Sequence, residues 1–121
     1  MFQIGYERSQ NLLQIHFSRH VTAAEAKQCL EKLKELLPNV QTAFTLLTDL
    51  SKLESMNLAC APSIEATMDA CRKAGAAKVI RVIPDPHKDI GLSIMSLFHY
   101  GRKIRIVTCE TLEEAKKVLA E

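Results

Sequence analysis

The feature that most constrains this fold is the regular alternation of strand-like and helix-like segments along the chain. Near the start, FQIGY and LLQIHF place apolar residues at every second position around a polar turn, which predicts a β-hairpin. Four helix-like segments then alternate with three strand-like ones. A helix between two strands makes them parallel, so the order β-β-α-β-α-β-α-β-α predicts an α/β fold with a mixed five-stranded sheet. The 121 residues suffice for one domain spanning residues 1–121.

Local signals indicate where the helices begin and end. Thr22 and Glu25 have the spacing of a capping box at the start of the first predicted helix, which Pro38 ends. The second predicted helix, SIEATMDACRKAG, closes with Gly75, a residue typical of helix C-termini. The third predicted helix spans Asp89–Gly101, and the fourth ends the chain.

Polar residues alternate with apolar ones in several predicted strands, which indicates a sheet with one uncovered face. A sheet that is buried on both faces usually has nearly continuous apolar strands. We therefore expect the four helices mainly on one face, with solvent or a partner on the other. The polar side chains that we place on the uncovered face are Gln14, His16, Ser18, Arg81, Lys103 and Arg105.

The composition argues against several classes of protein. The net charge is only +2, aromatic residues make up 5% of the chain and tryptophan is absent, so a basic, aromatic-rich face for nucleic acid is not expected. No apolar run approaches the ~20 residues that span a membrane. The N-terminal segment lacks the basic and apolar regions of a signal peptide. We expect a soluble, cytoplasmic protein.

The cysteines and histidines do not form a metal-site pattern. No two cysteines have C-x-x-C spacing, and His16 and His20 would lie roughly 13 Å apart on an extended strand. A cytoplasmic chain with a core of this size does not need disulfides. We therefore expect no metal or cofactor, and four free, buried thiols at Cys29, Cys60, Cys71 and Cys109.

The stretch LESMNLACAP, Leu53–Pro62, follows a predicted strand and precedes a predicted helix. In α/β proteins such a turn is a favoured place for binding and chemistry. This turn is mostly apolar, which leaves two interpretations open. Met56 and Leu58 either form an exposed surface that docks another protein, or they pack under the neighbouring helix.

The same stretch carries a resemblance to a known family, the STAS domains (sulfate transporter and anti-sigma factor antagonist). In the antagonists, the third strand runs into an aliphatic-Ser-x-Leu segment, which an Asp-Ser-Ser-Gly type of turn and a helix follow. The sequence LSKL at Leu50–Leu53 is similar to the first segment, and Asn57–Cys60 falls at the position of the turn. The order of elements along nearly the whole chain resembles this family as well.

The resemblance implies a STAS-like, SpoIIAA-like fold and a non-catalytic signalling or scaffold module that binds another protein. In the antagonists, a kinase phosphorylates a serine in this turn, and the added charge disrupts docking. Leu58 and Ala59 have no hydroxyl group, and Asn57 lacks the acidic charge of the family's turn. We therefore do not expect the phosphorylation switch. The chain resembles the divergent members that occur as small, stand-alone bacterial domains.

A second apolar segment, IMSLFHYG at Ile94–Gly101, leaves Met95, Leu97 or Tyr100 facing outward if it is helical. Three interpretations stay open. The segment is a docking helix for a partner protein or a second copy of the chain, or a short helix that is buried on two sides. Alternatively it is a lid over an apolar pocket, which would make the chain a carrier or sensor of a small apolar ligand or lipid.

Catalysis has little support in the sequence. Cys60, His87 and Glu110 are the one trio that could form an activated thiolate, but no nucleophile elbow or glycine-rich oxyanion turn accompanies them. We do not expect an enzyme. The predicted partner-binding residues are Met56, Asn57, Leu58, Ala59, Cys60, Met95, Leu97 and Tyr100.

Overall fold

The computed structural model describes residues 1–83 and 104–120. The strands and helices of this part are, in chain order, β1 Phe2–Glu7, β2 Leu12–Val21, α1 Ala23–Leu36, β3 Thr45–Met56, α2 Ala61–Lys73, β4 Lys78–Val82, β5 Arg105–Cys109 and α3 Leu112–Leu119. The described part thus contains three α-helices, against the four that were predicted for the chain. The predicted helix Asp89–Gly101 lies outside the described residues.

The five strands form one mixed sheet in the order β1-β2-β3-β4-β5. β1 is antiparallel to β2, and every other neighbouring pair is parallel. The predicted α/β architecture, with a hairpin at one edge of a mixed five-stranded sheet, is confirmed.

The main core lies between one face of the sheet and helices α1 and α2. The capping box at the start of α1 is present, since Thr22 Oγ1 accepts from Glu25 N at 3.2 Å and Thr22 N donates to Glu25 Oε1 at 3.3 Å. Among the fully buried side chains of this core are Leu13, Ile15, Leu33, Phe44, Leu46, Leu50, Val79 and Cys71. Burial of these apolar groups is the main force that holds the two helices on the sheet.

Helix α3 packs on the opposite face, so the prediction that this face is uncovered is wrong over its central strands. Ala115 of α3 is buried in a second core together with Leu12, Leu47, Ile80, Val82 and Cys109. The prediction failed because the alternation in β2 was generalised to β4, whose residues on this face are apolar. Within residues 1–83 and 104–120, the part of this face near β1 and β2 is partly open, and Gln14 and His16 are half-buried there.

Arg81 does not lie on the face where the sequence analysis placed it. It is 6% exposed and alternates with Ile80 and Val82, so it points to the α2 side of the sheet. There its Nη2 donates to Thr108 Oγ1 of β5 at 2.8 Å. Arg81 therefore does not belong to the uncovered face on which it was predicted.

β3 is longer than predicted, and Leu53–Met56 is strand rather than turn. The extension arises because β2 has ten residues and pairs with β3 as far as Val21 opposite Met56. Two register shifts, between His16 and Ser18 and between Arg19 and His20, interrupt this pairing. The connection between β3 and α2 therefore begins after Met56 and is shorter than predicted.

All four cysteines are free and buried, as predicted. None of the helices that the structure describes is long and apolar enough to cross a membrane.

Candidate functional site

The candidate site is the short connection from β3 to α2. A single turn of 3-10 helix, Leu58–Cys60, follows Asn57 and leads directly into α2 at Ala61. The turn sits at the carboxyl end of β3, beside the last residue of β2. In α/β sheets this end of the strands is where ligands usually bind.

Hydrogen bonds hold the backbone of this turn at three points. Asn57 N donates to Val21 O at 3.1 Å, which ties the turn to the end of β2. Asn57 Oδ1 accepts from Ala59 N at 2.8 Å, and Asn57 O accepts from Cys60 N at 2.9 Å. Asparagine is a favoured residue at such a helix start because its side-chain oxygen satisfies an amide that lacks a helical partner. The turn is thus fixed before any partner arrives.

The buried side chain of Cys60 holds the turn against the end of β2. Its side chain is 1% exposed, and its Sγ donates to Val21 O at 3.5 Å. Burial raises the pKa of the Cys60 thiol, so at neutral pH the group is a neutral thiol rather than a reactive thiolate. His87, one of the two residues considered with Cys60 for catalysis, lies outside the described residues.

Leu58 projects from the turn into solvent with 92% of its surface exposed. The interpretation that Leu58 packs under the neighbouring helix is therefore excluded. Asn57 and Ala59 are also exposed, whereas Met56 is half-buried against the core. In the described part of the chain, the other large apolar residues that are classed as exposed are Met1 at 53% and Leu112 at 36%. Leu58 is therefore the most exposed large apolar side chain of these residues.

The remaining residues of the predicted partner surface are Met95, Leu97 and Tyr100, which lie outside the described residues. Their proximity to the turn stays a prediction. Of the predicted set, the structure brings Met56–Cys60 together as one continuous segment, with Cys60 beneath its surface.

A small apolar cavity lies between the sheet and α2. Its volume is about 40 Å³, and its lining includes Phe17, Met56, Ile64, Met68 and Arg81. A space of this size holds about one water molecule, whereas pockets for small ligands usually measure roughly 300–1,000 Å³. The apolar pocket that was considered from the sequence would lie beneath Ile94–Gly101, which is outside the described residues, so a carrier of an apolar ligand or lipid stays a prediction.

A wider, open groove of about 740 Å³ runs between the opposite face of the sheet and α3. Its walls include Leu12, Leu47 and Leu119, and His16 lies at its rim. The groove is more open to solvent than the cavity under α2.

A pair of polar groups near this groove, His16 and Asp49, was not predicted from the sequence. His16 Nδ1 lies 2.9 Å from Asp49 Oδ2, and His16 Nε2 lies 3.1 Å from Gln14 Oε1. Burial alone would raise the pKa of Asp49, but hydrogen bonds from Ser51 and His16 outweigh it and lower this pKa from its ordinary value. His20 instead bonds Ser55 at 2.6 Å, so the two histidines serve different contacts.

No family model matches the chain, and no curated protein matches it. Several solved structures, however, match the chain. An uncharacterised protein of the DUF3478 family with a SpoIIAA-like fold, from Shewanella loihica PV-4, superposes with a TM-score of 0.72 at 18% identity over 98% of this chain and 93% of its own. The Bacillus cell fate determinant SpoIIAA in its phosphorylated form gives 0.68 at 15% identity, over 98% and 99% of the two chains.

An anti-sigma factor antagonist from Mycobacterium paratuberculosis gives a TM-score of 0.63 at 15% identity, over 100% of this chain and 96% of its own. These likenesses extend over nearly the full length of the chains. The protein therefore has the STAS-like, SpoIIAA-like fold that the sequence resemblance implied.

Proposed function

We propose that this chain is a non-catalytic signalling or scaffold module that docks another protein on Met56–Cys60 and the exposed start of α2. The observation that carries this proposal is the 92% exposure of Leu58 on a turn whose backbone is already fixed. A leucine that is held in solvent leaves about 1.5–3 kcal/mol of burial energy unused, which a partner can recover.

The geometry of the turn suits docking. A fixed turn loses little conformational entropy when it binds, so more of the contact energy appears as affinity. Pro62 and Glu65 of α2 are exposed beside it and would form the rim of the interface. A central apolar anchor with a more polar rim is the usual anatomy of a protein–protein interface.

The similar structures support a regulatory role. One is described as an anti-sigma factor antagonist and another as a cell fate determinant. We extend to this chain only the general role of a protein-binding module.

The proposed docking does not depend on phosphorylation of the turn. Leu58 and Ala59 offer no hydroxyl group to a kinase, and the hydroxyl group of nearby Ser55 is engaged by His20 at 2.6 Å. Phosphatase treatment of the purified protein should therefore leave its capture of a partner unchanged.

The test compares the wild type with Leu58→Asp and Leu58→Met as immobilised baits in a lysate of the source organism, with quantitative mass spectrometry as readout. We expect a protein that both wild type and Leu58→Met retain and that Leu58→Asp loses by about 10-fold or more, the equivalent of one buried leucine. The matched control is Leu112→Asp, which makes the same change at the exposed leucine of α3.

Two results would contradict the proposal. In the first, Leu58→Asp retains every protein that the wild type retains. In the second, Leu58→Asp lowers the melting temperature strongly while Leu112→Asp does not, which would show that Leu58 stabilises the fold rather than a partner.

A further inference from the structure

The free edge of β1 is a second candidate binding surface. Among the described residues, β2 is the one strand that pairs with β1. Proteins usually protect such an edge with proline, lysine, a bulge or a very short strand. β1 has six residues, contains neither proline nor lysine, and pairs in unbroken register from Phe2 opposite Phe17 to Glu7 opposite Leu12.

The hydrogen bonds of the hairpin identify the backbone groups that face this free edge. Ser18 N donates to Met1 O at 2.9 Å, so Phe2 and Phe17 between them form a non-hydrogen-bonded pair. Because the two kinds of pair alternate along an antiparallel ladder, Ile4 and Tyr6 occupy the same kind of position. Phe2, Ile4 and Tyr6 therefore each direct an N–H and a C=O group away from β2.

We propose that two copies of the chain associate through β1 in antiparallel fashion, about a two-fold axis at Ile4. In this register Ile4 lies opposite Ile4 of the second copy, and Phe2 lies opposite Tyr6 on both sides of the axis. All three outward N–H groups and all three outward C=O groups of each copy then pair, which makes six hydrogen bonds. Any other antiparallel register pairs fewer of them.

The side chains of β1 agree with this register. Phe2, Ile4 and Tyr6 are half-buried on the face that α1 covers, and each copy would cover their remaining surface with the same residues of the other. Aromatic and β-branched cross-strand pairs of this kind stabilise sheets. On the other face Gln3 lies opposite Gly5, beside which there is open space for a neighbouring side chain.

The charges of β1 are compatible with this register. Glu7 does not meet Glu7 of the second copy, because the register offsets them along the strands. Lys32 Nζ of α1 lies 5.8 Å from the centre of the Phe2 ring. Lys32 therefore lies on the α1 face, whereas Glu7 points to the other face with Gln3 and Gly5, so these two charges do not meet across the axis. The register therefore brings no like charges of β1 together.

This interface does not involve Leu58, so it is independent of the proposed docking turn. Its register can be tested with cysteine variants, because all four native thiols are buried. Ile4→Cys would place two thiols directly opposite each other, at a Cα–Cα distance of about 5.5 Å that suits a disulfide. Glu7→Cys is the matched control, since the register separates its two copies by six residues of strand.

We expect mild oxidation with diamide to convert Ile4→Cys into a covalent dimer on non-reducing gels, and to leave Glu7→Cys monomeric. Sedimentation velocity over a concentration series should show a wild-type dimer, which Leu58→Asp retains. Ile4→Lys would place two like charges opposite each other. This variant should be folded by circular dichroism and monomeric by sedimentation velocity.

The proposal is overturned if the wild type sediments as a monomer at every concentration. Equal crosslinking of Ile4→Cys and Glu7→Cys would overturn the register. If Ile4→Lys does not fold, the cysteine pair and the wild-type sedimentation decide the question without it.

Discussion

At the scale of single residues, Asn57 fixes the shape of the candidate site. Its side-chain oxygen accepts from Ala59 N at 2.8 Å, and its backbone bonds Val21 O and Cys60 N. Asn57→Ala should lower the free energy of unfolding by about 0.5–2 kcal/mol, the usual loss for such a cap. Urea unfolding measures this change. Asn57→Asp is the control, because it keeps the acceptor oxygen; equal destabilisation by both variants would contradict this role of the side chain.

Asp49 should make the stability depend on acid pH. Hydrogen bonds from Ser51 and His16 lower its pKa in the folded state below the ordinary value of 3.8, despite burial. The stabilisation is therefore fully present above about pH 4 and is lost as the pH falls through the lowered pKa. Urea unfolding between about pH 5 and pH 2 should show a shallower loss for Asp49→Asn than for the wild type. An equal fall of the unfolding free energy with pH in both proteins would exclude this contribution of Asp49.

Individual residues were predicted well where the signal is local. The capping box of Thr22 and Glu25 depends on a spacing of three residues, which any helix realises in the same way. The contact between His16 and Asp49 joins residues 33 positions apart and depends on the register of β2 against β3. No local pattern contains that register. Arg81 was placed on the wrong face because one residue's shift along a strand reverses its side.

At the scale of elements, the connection from α2 to β4 depends on Gly75. Its φ is +97°, and a Cβ there would lie 3.3 Å from Thr42 Cβ. Gly75→Ala should therefore lower the free energy of unfolding by about 1–2 kcal/mol, because a left-handed conformation and a close contact both oppose the added methyl group. Chemical unfolding checks this value.

Gly5→Ala is the matched control for that change. Nothing lies within 4 Å of a Cβ at Gly5, and this glycine is in a strand. Alanine at Gly5 should be neutral or stabilising by up to about 1 kcal/mol, since glycine weakens strands. A similar loss of stability in both variants would mean that strain at Gly75 is not the cause.

The order and type of the described elements could be predicted because hydrophobic periodicity is a local property. The lengths of the strands, and the face of the sheet that each helix covers, could not be predicted in this way. β3 continues to Met56 because β2 offers it a partner that far, and that length appears only when the two strands are paired. The amphipathic pattern of α3 shows that the helix has a buried side. It does not show which face of the sheet α3 covers, and the structure places it opposite α1 and α2.

At the scale of the whole molecule, the buried thiols should limit stability at alkaline pH. Burial raises the pKa of Cys29 to about 11 and that of Cys71 to about 12, whereas a thiol in the unfolded chain ionises near pH 9. The folded state is therefore unaffected below about pH 9 and loses stability as the pH rises above it. The double variant Cys29→Ala, Cys71→Ala should have a flatter profile of unfolding free energy between about pH 8 and pH 11. Profiles of equal slope would contradict the effect.

The fold of the whole molecule could be predicted because the element order is compatible with few topologies, and the structural comparisons agree with it. The docking site could be predicted only in part. The turn could be located from the sequence, but the exposure of Leu58 depends on how β3, Cys60 and Val21 fix the backbone around it. Such an arrangement is a property of the folded chain rather than of any one segment.

The measurement that tests the central proposal most directly is photocrosslinking in living cells of the source organism. A benzophenone amino acid replaces Leu58 in one variant and Glu113, an exposed residue of α3, in the control. The proposal predicts one discrete adduct at Leu58, of a mass other than twice that of the chain, which the control does not form. Absence of an adduct at Leu58, or an adduct of two copies of the chain, would contradict the proposal that this turn docks a different protein.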